Sequence, residues 1–212
     1  MMIHPEAYYI SHLKGKSIAQ IQSEINRLRR ELNSIKREAE SPIPCCVDPS
    51  YDIQVSFTRQ YLAKAKQALI DLGGEYIPTK TEVRNEKFNE MVDTITNIHF
   101  TYGGFFDGYE CKNFFFDKSA VFVQSYNAPF NADFKSFTVQ PHHLSTSSFL
   151  SAIKSLNLGE WKKEYFNPYV CDGTQWSLRI NFANSTQKQI DGSNAFPYNF
   201  DQLMSLLCPD ND

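Results

Sequence analysis

The sequence predicts an α+β protein: an N-terminal helical hairpin forming a short coiled coil, then a mostly antiparallel sheet with helices packed on one face. Three observations carry this. Apolar residues recur at helical spacing up to about residue 95, where the period switches to two. Turn residues punctuate the stretch after 100 at strand-length intervals. Thirteen of the chain's Phe, Tyr and Trp residues fall between 100 and 137, including the run Phe114-Phe115-Phe116. Successive side chains of a strand point to opposite faces, so three consecutive Phe cannot all enter one core. Either both faces of this sheet are covered, or one carries apolar residues for a partner.

The first long helix starts at Ser17-Ile18-Ala19-Gln20, a capping box in which Ser17 accepts from the Gln20 amide and Gln20 reaches back. Ile18, Ile21, Ile25, Leu28, Leu32 and Ile35 then repeat at spacings of three and four, the heptad seam of a coiled coil. The seam lasts under three heptads, which is short for a free-standing dimer and suits packing on another helix of the same chain. A Pro-rich connector follows, with Asp48 as N-cap and Pro49 at the first helical position. Phe57, Tyr61, Leu62, Ala65, Leu69 and Leu72 mark the apolar face of the second helix, which Gly73-Gly74 ends. Thr79 and Glu82 form a second capping box, opening a helix that buries Phe88, Met91, Val92 and Ile95.

Strand alternation begins at Ile98, Phe100 and Tyr102. Gly103-Gly104 and Asp107-Gly108 supply turns, and strands at 109 to 116 and 119 to 126 should be antiparallel neighbours. Phe134 to Val139 is a further strand candidate, with His142 and His143 in a loop beyond it, and Ser145 caps a helix carrying Phe149, Leu150, Ile153 and Leu156. Trp176, Leu178, Ile180 and Phe182 alternate with polar residues along a half-buried strand that Asn184-Ser185 turns into a partner. Gly192 is expected to break that partner, and Pro197 to introduce a helix burying Phe200, Leu203 and Leu207. These elements divide the chain into a hairpin over 1–75 and a sheet domain over 76–212, with room for one shared core.

The spacing Asp172-Gly173-x-x-Trp176 … Gly192-x-Asn194-x-x-Pro197-x-x-Phe200-x-x-Leu203, about a quarter of the chain, resembles a C-terminal module of uncharacterised bacterial proteins. The resemblance implies a hairpin followed by a helix and supplies no functional residue.

At 212 residues with a formal net charge of −3, the chain has no global attraction to nucleic acid or an anionic membrane. No apolar run reaches spanning length, and the first residues lack the basic-then-apolar order of a signal peptide. Five cysteines in no regular spacing suit a reducing cytosol, so the expected location is cytoplasmic. Cys45-Cys46 with His142-His143 lacks the spaced pairs of a zinc site, so no metal is expected, and no cofactor motif is present.

Catalytic signals are sparse. Cys171 is a thiol beside an acid, and the carboxylate pairs Asp107 with Glu110 and Glu160 with Glu164 have nothing to distinguish them from surface charge. Trp176, on the apolar side of its strand, reads as core. The aromatic block therefore leads: Tyr102, Phe105, Phe106 and Tyr109 are the candidate contact surface of a non-enzymatic, intracellular protein-binding or inhibitory factor. An accessory protein of a phage or mobile element fits that outline. The Ile18–Ile35 helix would be its second interface, able to form a homodimer. Two alternatives stand beside it: a small hydrolase with a pocket beside the sheet, and, less favoured, a nucleic-acid module using Arg27, Arg29, Arg30, Lys36 and Arg37 as phosphate contacts.

Overall fold

The computed structural model describes residues 2–42, 47–104, 106, 108–128 and 138–209, and the chain divides into two compact units, Met1–Pro78 and Thr79–Asp212. Cys45 and Cys46 and most of the 134–139 strand candidate lie outside the described residues. The fold is α+β, a helical hairpin followed by a seven-stranded, mostly antiparallel sheet with helices. Among the described residues no helix is long and apolar enough to cross a membrane.

The first unit opens with a short helix α1 (Pro5–Tyr8) that widens into a π-helical turn over Tyr9–Leu13. Periodicity over so few residues gives no signal, and tertiary contacts explain the element. Tyr8 stacks on Tyr61 at 4.0 Å, and the Tyr61 hydroxyl both donates to the Ile3 carbonyl (2.6 Å) and accepts from the Ile3 amide (2.9 Å). Helix α2 (Ile18–Ala39) has its full capping box: Gln20 N–H donates to Ser17 Oγ (3.4 Å) and Ser17 N–H to Gln20 Oε1 (2.9 Å). Ile21, Ile25, Leu28, Leu32 and Ile35 are buried along the seam. Ile18, at the first helical position, stays exposed, so the covered seam starts one turn later than the spacing suggests.

Helix α3 (Tyr51–Asp71) pairs with α2 as the hairpin. Its start departs from expectation, because Ser50 rather than Asp48 precedes the first helical residue and Pro49 lies outside the helix. The Pro49 carbonyl instead accepts from Gln54 Nε2 (2.7 Å). Its buried stripe is Val55, Thr58, Tyr61, Leu62, Ala65, Ala68 and Leu69; Phe57 is only partly covered, and Leu72, past the last turn, is exposed. Gly73, at φ +77°, closes the helix in the left-handed region that suits glycine.

The second unit begins with α4 (Lys80–Met91), capped by Thr79 and Glu82 as expected. A 3₁₀ turn leads into β1 (Ile95–Gly104), then β2 (Gly108–Phe116), β3 (Ala120–Ala128) and β4 (Thr138–Ser145). Helix α5 (Thr146–Ser155), β5 (Glu164–Phe166), β6 (Thr174–Phe182), β7 (Gln187–Ser193) and α6 (Phe200–Leu207) complete it. The sheet order is β4-β3-β2-β1-β6-β7-β5, antiparallel throughout except that β5 joins β7 in parallel. The three-residue strand β5 is too short to carry a periodicity signal.

One sheet face and the helices share a core that includes Ile98, Phe100, Phe114, Val121, Leu178, Ile180, Ile190, Phe149, Ile153 and Leu203. Phe114 is fully buried there, Phe115 is 44% exposed, and Phe116 packs at the margin against Phe149. Residue parity thus sends the central Phe to the opposite face. Three expectations need correction. His142 and His143 belong to β4, not a loop: the His142 ring packs edge-on to Phe149 at 5.0 Å and Nε2 lies 3.0 Å from the Leu206 carbonyl. Burial lowers the His142 pKa.

Gly192 does not break β7 but sits inside it, opposite Trp176, because a Cβ there would overlap the Trp176 indole. That indole donates to the Ala195 carbonyl (3.0 Å) and packs 4.8 Å from Phe200. Pro197 precedes rather than opens α6, accepting from the Phe200 amide. Trp161 donates to buried Asn199 (3.0 Å), which in turn donates to the Leu156 carbonyl (2.9 Å).

A methyl group at Gly192 must displace a ring held by its own hydrogen bond. Gly192→Ala is therefore expected to destabilise by about 1–3 kcal/mol, read by urea unfolding. Phe114→Ala should cost about 3–5 kcal/mol and Phe115→Ala about 1 kcal/mol or less, and equal losses would contradict the assigned parity. Lys188, opposite Ile180, extends over the Phe88 ring at 5.6 Å, and burial, aided by Arg84 and Lys163, pushes its ammonium down to about 8 from 10.5. The unfolded chain then binds more protons between those values, so stability rises with pH across that window. Lys188→Met should remove this rise, on the order of 1 kcal/mol because the group stays partly wetted, in unfolding curves compared at pH 7 and 10.

Candidate functional site

Cross-strand register turns the uncovered sheet face into ordered rows. One runs Pro141, Phe122, Phe115, Asn97, Asn181, Gln187, and the next Val139, Gln124, Asn113, His99, Arg179, Gln189. A third runs Tyr126, Cys111, Thr101, Ser177, Asp191, Glu164, and the last Ala128, Tyr109, Gly103, Gln175, Ser193, Phe166. The face is apolar at Phe122, Phe115 and Val139, polar through its centre, and apolar again at Phe166, which is 63% exposed.

The centre is hydrogen-bonded. Asn113 Nδ2 donates to Gln124 Oε1 (3.4 Å), which leaves Asn113 Oδ1 facing His99 Nδ1 at 2.6 Å. In the neutral ring Nδ1 then carries the proton and Nε2 accepts from the Thr101 hydroxyl at 3.2 Å. Burial, reinforced by neighbouring Cys111, raises the Tyr126 phenol above its ordinary range. Ser177 Oγ donates to Asp191 Oδ1 (2.8 Å), and Gln189 Nε2 reaches both Asp191 oxygens (3.2 and 3.1 Å). Gln175 Nε2 donates to Ser193 Oγ (2.9 Å). Beside these groups lies a groove of about 280 Å³, lined by Thr101, Tyr109, Glu164, Gln175, Ser177, Asp191 and Ser193 among others. These side chains can bind and orient a polar group. Among the described residues no cluster of three His, Cys, Asp or Glu could hold a metal ion.

Two of the expected contact residues, Tyr102 and Tyr109, are not brought onto one surface. Tyr102 faces the helices, stacked on Phe100 and Phe200, whereas Tyr109, opposite Gly103, faces the open side. Their parities differ, which the turn between them conceals in the sequence. Phe106 is 79% exposed at the tip of the β1–β2 connection, and Phe105 lies outside the described residues. Phe115, Phe122, Asp191 and Glu164 take over the open face. The even spacing of Gln187, Gln189, Asp191 and Ser193 was the available sequence signal for its polar part.

The five basic residues of α2 also separate. Arg27 is ion-paired with Glu24 (2.8 Å) and Glu31 (2.7 Å) and donates to the Tyr8 hydroxyl (3.1 Å). The hydrogen bonds that Arg27 donates to Glu24 hold its carboxyl below the usual range. Arg29 turns to Tyr76, donating to its hydroxyl (2.6 Å) and to the Ile77 carbonyl (2.8 Å) with its guanidinium 4.8 Å over the ring. Arg30 and Arg37 share an open concavity with Arg27, Glu31, Asn33 and Ser34, whereas Lys36 and Arg29 are not in its lining. Of the catalytic candidates, Glu110 is ion-paired with Lys112 (3.1 Å) and Cys171 is an exposed thiol in the segment before β6; Asp107 lies outside the described residues.

No protein-family model, no curated protein and no solved structure matches the chain.

Proposed function

We propose that this protein is a non-enzymatic, intracellular protein-binding or inhibitory factor that occludes its target with the uncovered face of its sheet. The observation that carries this reading is the pair Phe115 and Phe122. They are cross-strand partners on adjacent strands, 44% and 38% exposed, with exposed Val139 beside them. Aromatic side chains projecting from a rigid sheet are suited to be interface anchors, since little ordering entropy is lost when they are covered. The hydrogen-bonded polar centre supplies a register for a partner, and the chemistry of occlusion requires no reacting group.

The α2 seam contributes less to this reading than the sequence suggests, because Ile21, Ile25, Leu28, Leu32 and Ile35 are already buried within their own unit. A homodimer through this helix would have to use its polar surface.

Affinity capture with the full chain, followed by hydrogen exchange on the purified complex, tests the proposal. The expected result is one stoichiometric protein partner, protection of β2 and β3, and binding weakened by about 30-fold or more in a Phe115→Ser, Phe122→Ser variant that keeps its circular dichroism spectrum. Identical binding by wild type and variant would overturn it.

A further inference from the structure

We infer that the groove beside Asp191 and Glu164 is a guanidinium subsite that receives an arginine side chain of the protein partner; this deepens, and rests on, the open-face reading above. The size comes first. At about 280 Å³ the groove falls just below the range of about 300–1,000 Å³ typical for drug-sized ligands, and it suits a single long side chain.

Charge sets the sign of the occupant. Asp191 and Glu164 are Cα partners across β7 and β5, both line the groove, and neither is ion-paired among the described residues. An anion would meet two carboxylates. A metal ion would find too few ligands, and Asp191 is already committed to Ser177 and Gln189. Those three contacts occupy most of the roughly four acceptor positions of Asp191 and orient the carboxylate, leaving the Glu164 carboxylate as the more open acceptor.

Shape selects guanidinium over ammonium. Its planar fork can share donors between two neighbouring carboxylates while its face lies against the Tyr109 ring in the groove wall, an arrangement a compact ammonium cannot reproduce. Thr101 and Ser193 hydroxyls line the same groove and offer further acceptors. The chain's own cations nearby do not fill the site: Lys162 extends over the Tyr165 ring at 5.2 Å, Lys163 is exposed, and Arg179 is exposed one row along the face.

The test titrates the isotope-labelled full chain with N-acetyl-arginine N-methylamide and, separately, with its citrulline and lysine counterparts, following amide resonances. The arginine compound should give saturable shifts at Ser177, Asp191, Gly192 and Ser193. The neutral citrulline compound should give none, and the lysine compound should bind more weakly. Asp191→Asn should reduce apparent affinity about tenfold, and Glu164→Gln, at an exposed position that leaves folding intact, should do the same. Equal shifts from citrulline, shifts indifferent to both substitutions, or no saturation would overturn the subsite. Loss of arginine binding with Phe115- and Phe122-dependent capture intact removes the subsite alone. Arginine binding alongside capture indifferent to those two residues instead overturns the wider proposal.

Discussion

Side-chain alternation along strands covered on one face only is the constraint on which the second unit depends. Each of β1, β2, β3, β6 and β7 must divide its residues between a helix-covered core and an uncovered face, and a shift by one residue would exchange the two sets. The aromatic surplus of β2 and β3 makes the division visible. Phe114 enters the core beside Phe149, and Phe115, its neighbour in sequence, meets Phe122 on the other side. The same parity gathers Asp191, Ser177, Gln175 and Thr101 into a polar field on the open side.

Register along β6 and β7 is pinned by interlocking shapes at Trp176 and Gly192 and at Gly173 and Asn194. The Trp176 indole occupies the space that any side chain at position 192 would need, and its ring also packs on Phe200. Asn194, at φ +52°, sets its amide oxygen where a side chain at Gly173 would lie, and its backbone amide donates to the Thr174 carbonyl (2.8 Å). A ladder alone tolerates slippage more readily than a ladder with a ring seated over a glycine. Gly173, Trp176, Gly192 and Asn194 are thus accounted for by packing and turn geometry.

The first unit is organised by a different economy. Its hairpin seam is narrow, with Leu28 and Ala65 fully covered, and the segment before α2 folds back to complete the core through Tyr8 and Leu13. Polar groups then fasten its margin, as Tyr8 donates to Glu24 while Arg27 bridges Glu24 and Glu31. The charge on α2 that looked available for phosphate is in part committed to these contacts.

Local chemistry written in the sequence determined the elements themselves: both capping boxes, the seam from Ile21 to Ile35, the switch of period at β1, and the Trp176–Phe182 alternation. Each depends on residues within one or two turns or on a strand's own parity, so neighbours suffice. Only the tertiary structure decided which face of each strand is covered, that β5 adds in parallel at the edge, that Gly192 lies within a strand, and that Tyr102 and Tyr109 part company. Those outcomes depend on groups distant along the chain, such as Phe200 against Tyr102 or Glu164 beside Asp191. Such pairings leave no trace in spacing, because long-range packing selects among arrangements that local propensity permits equally.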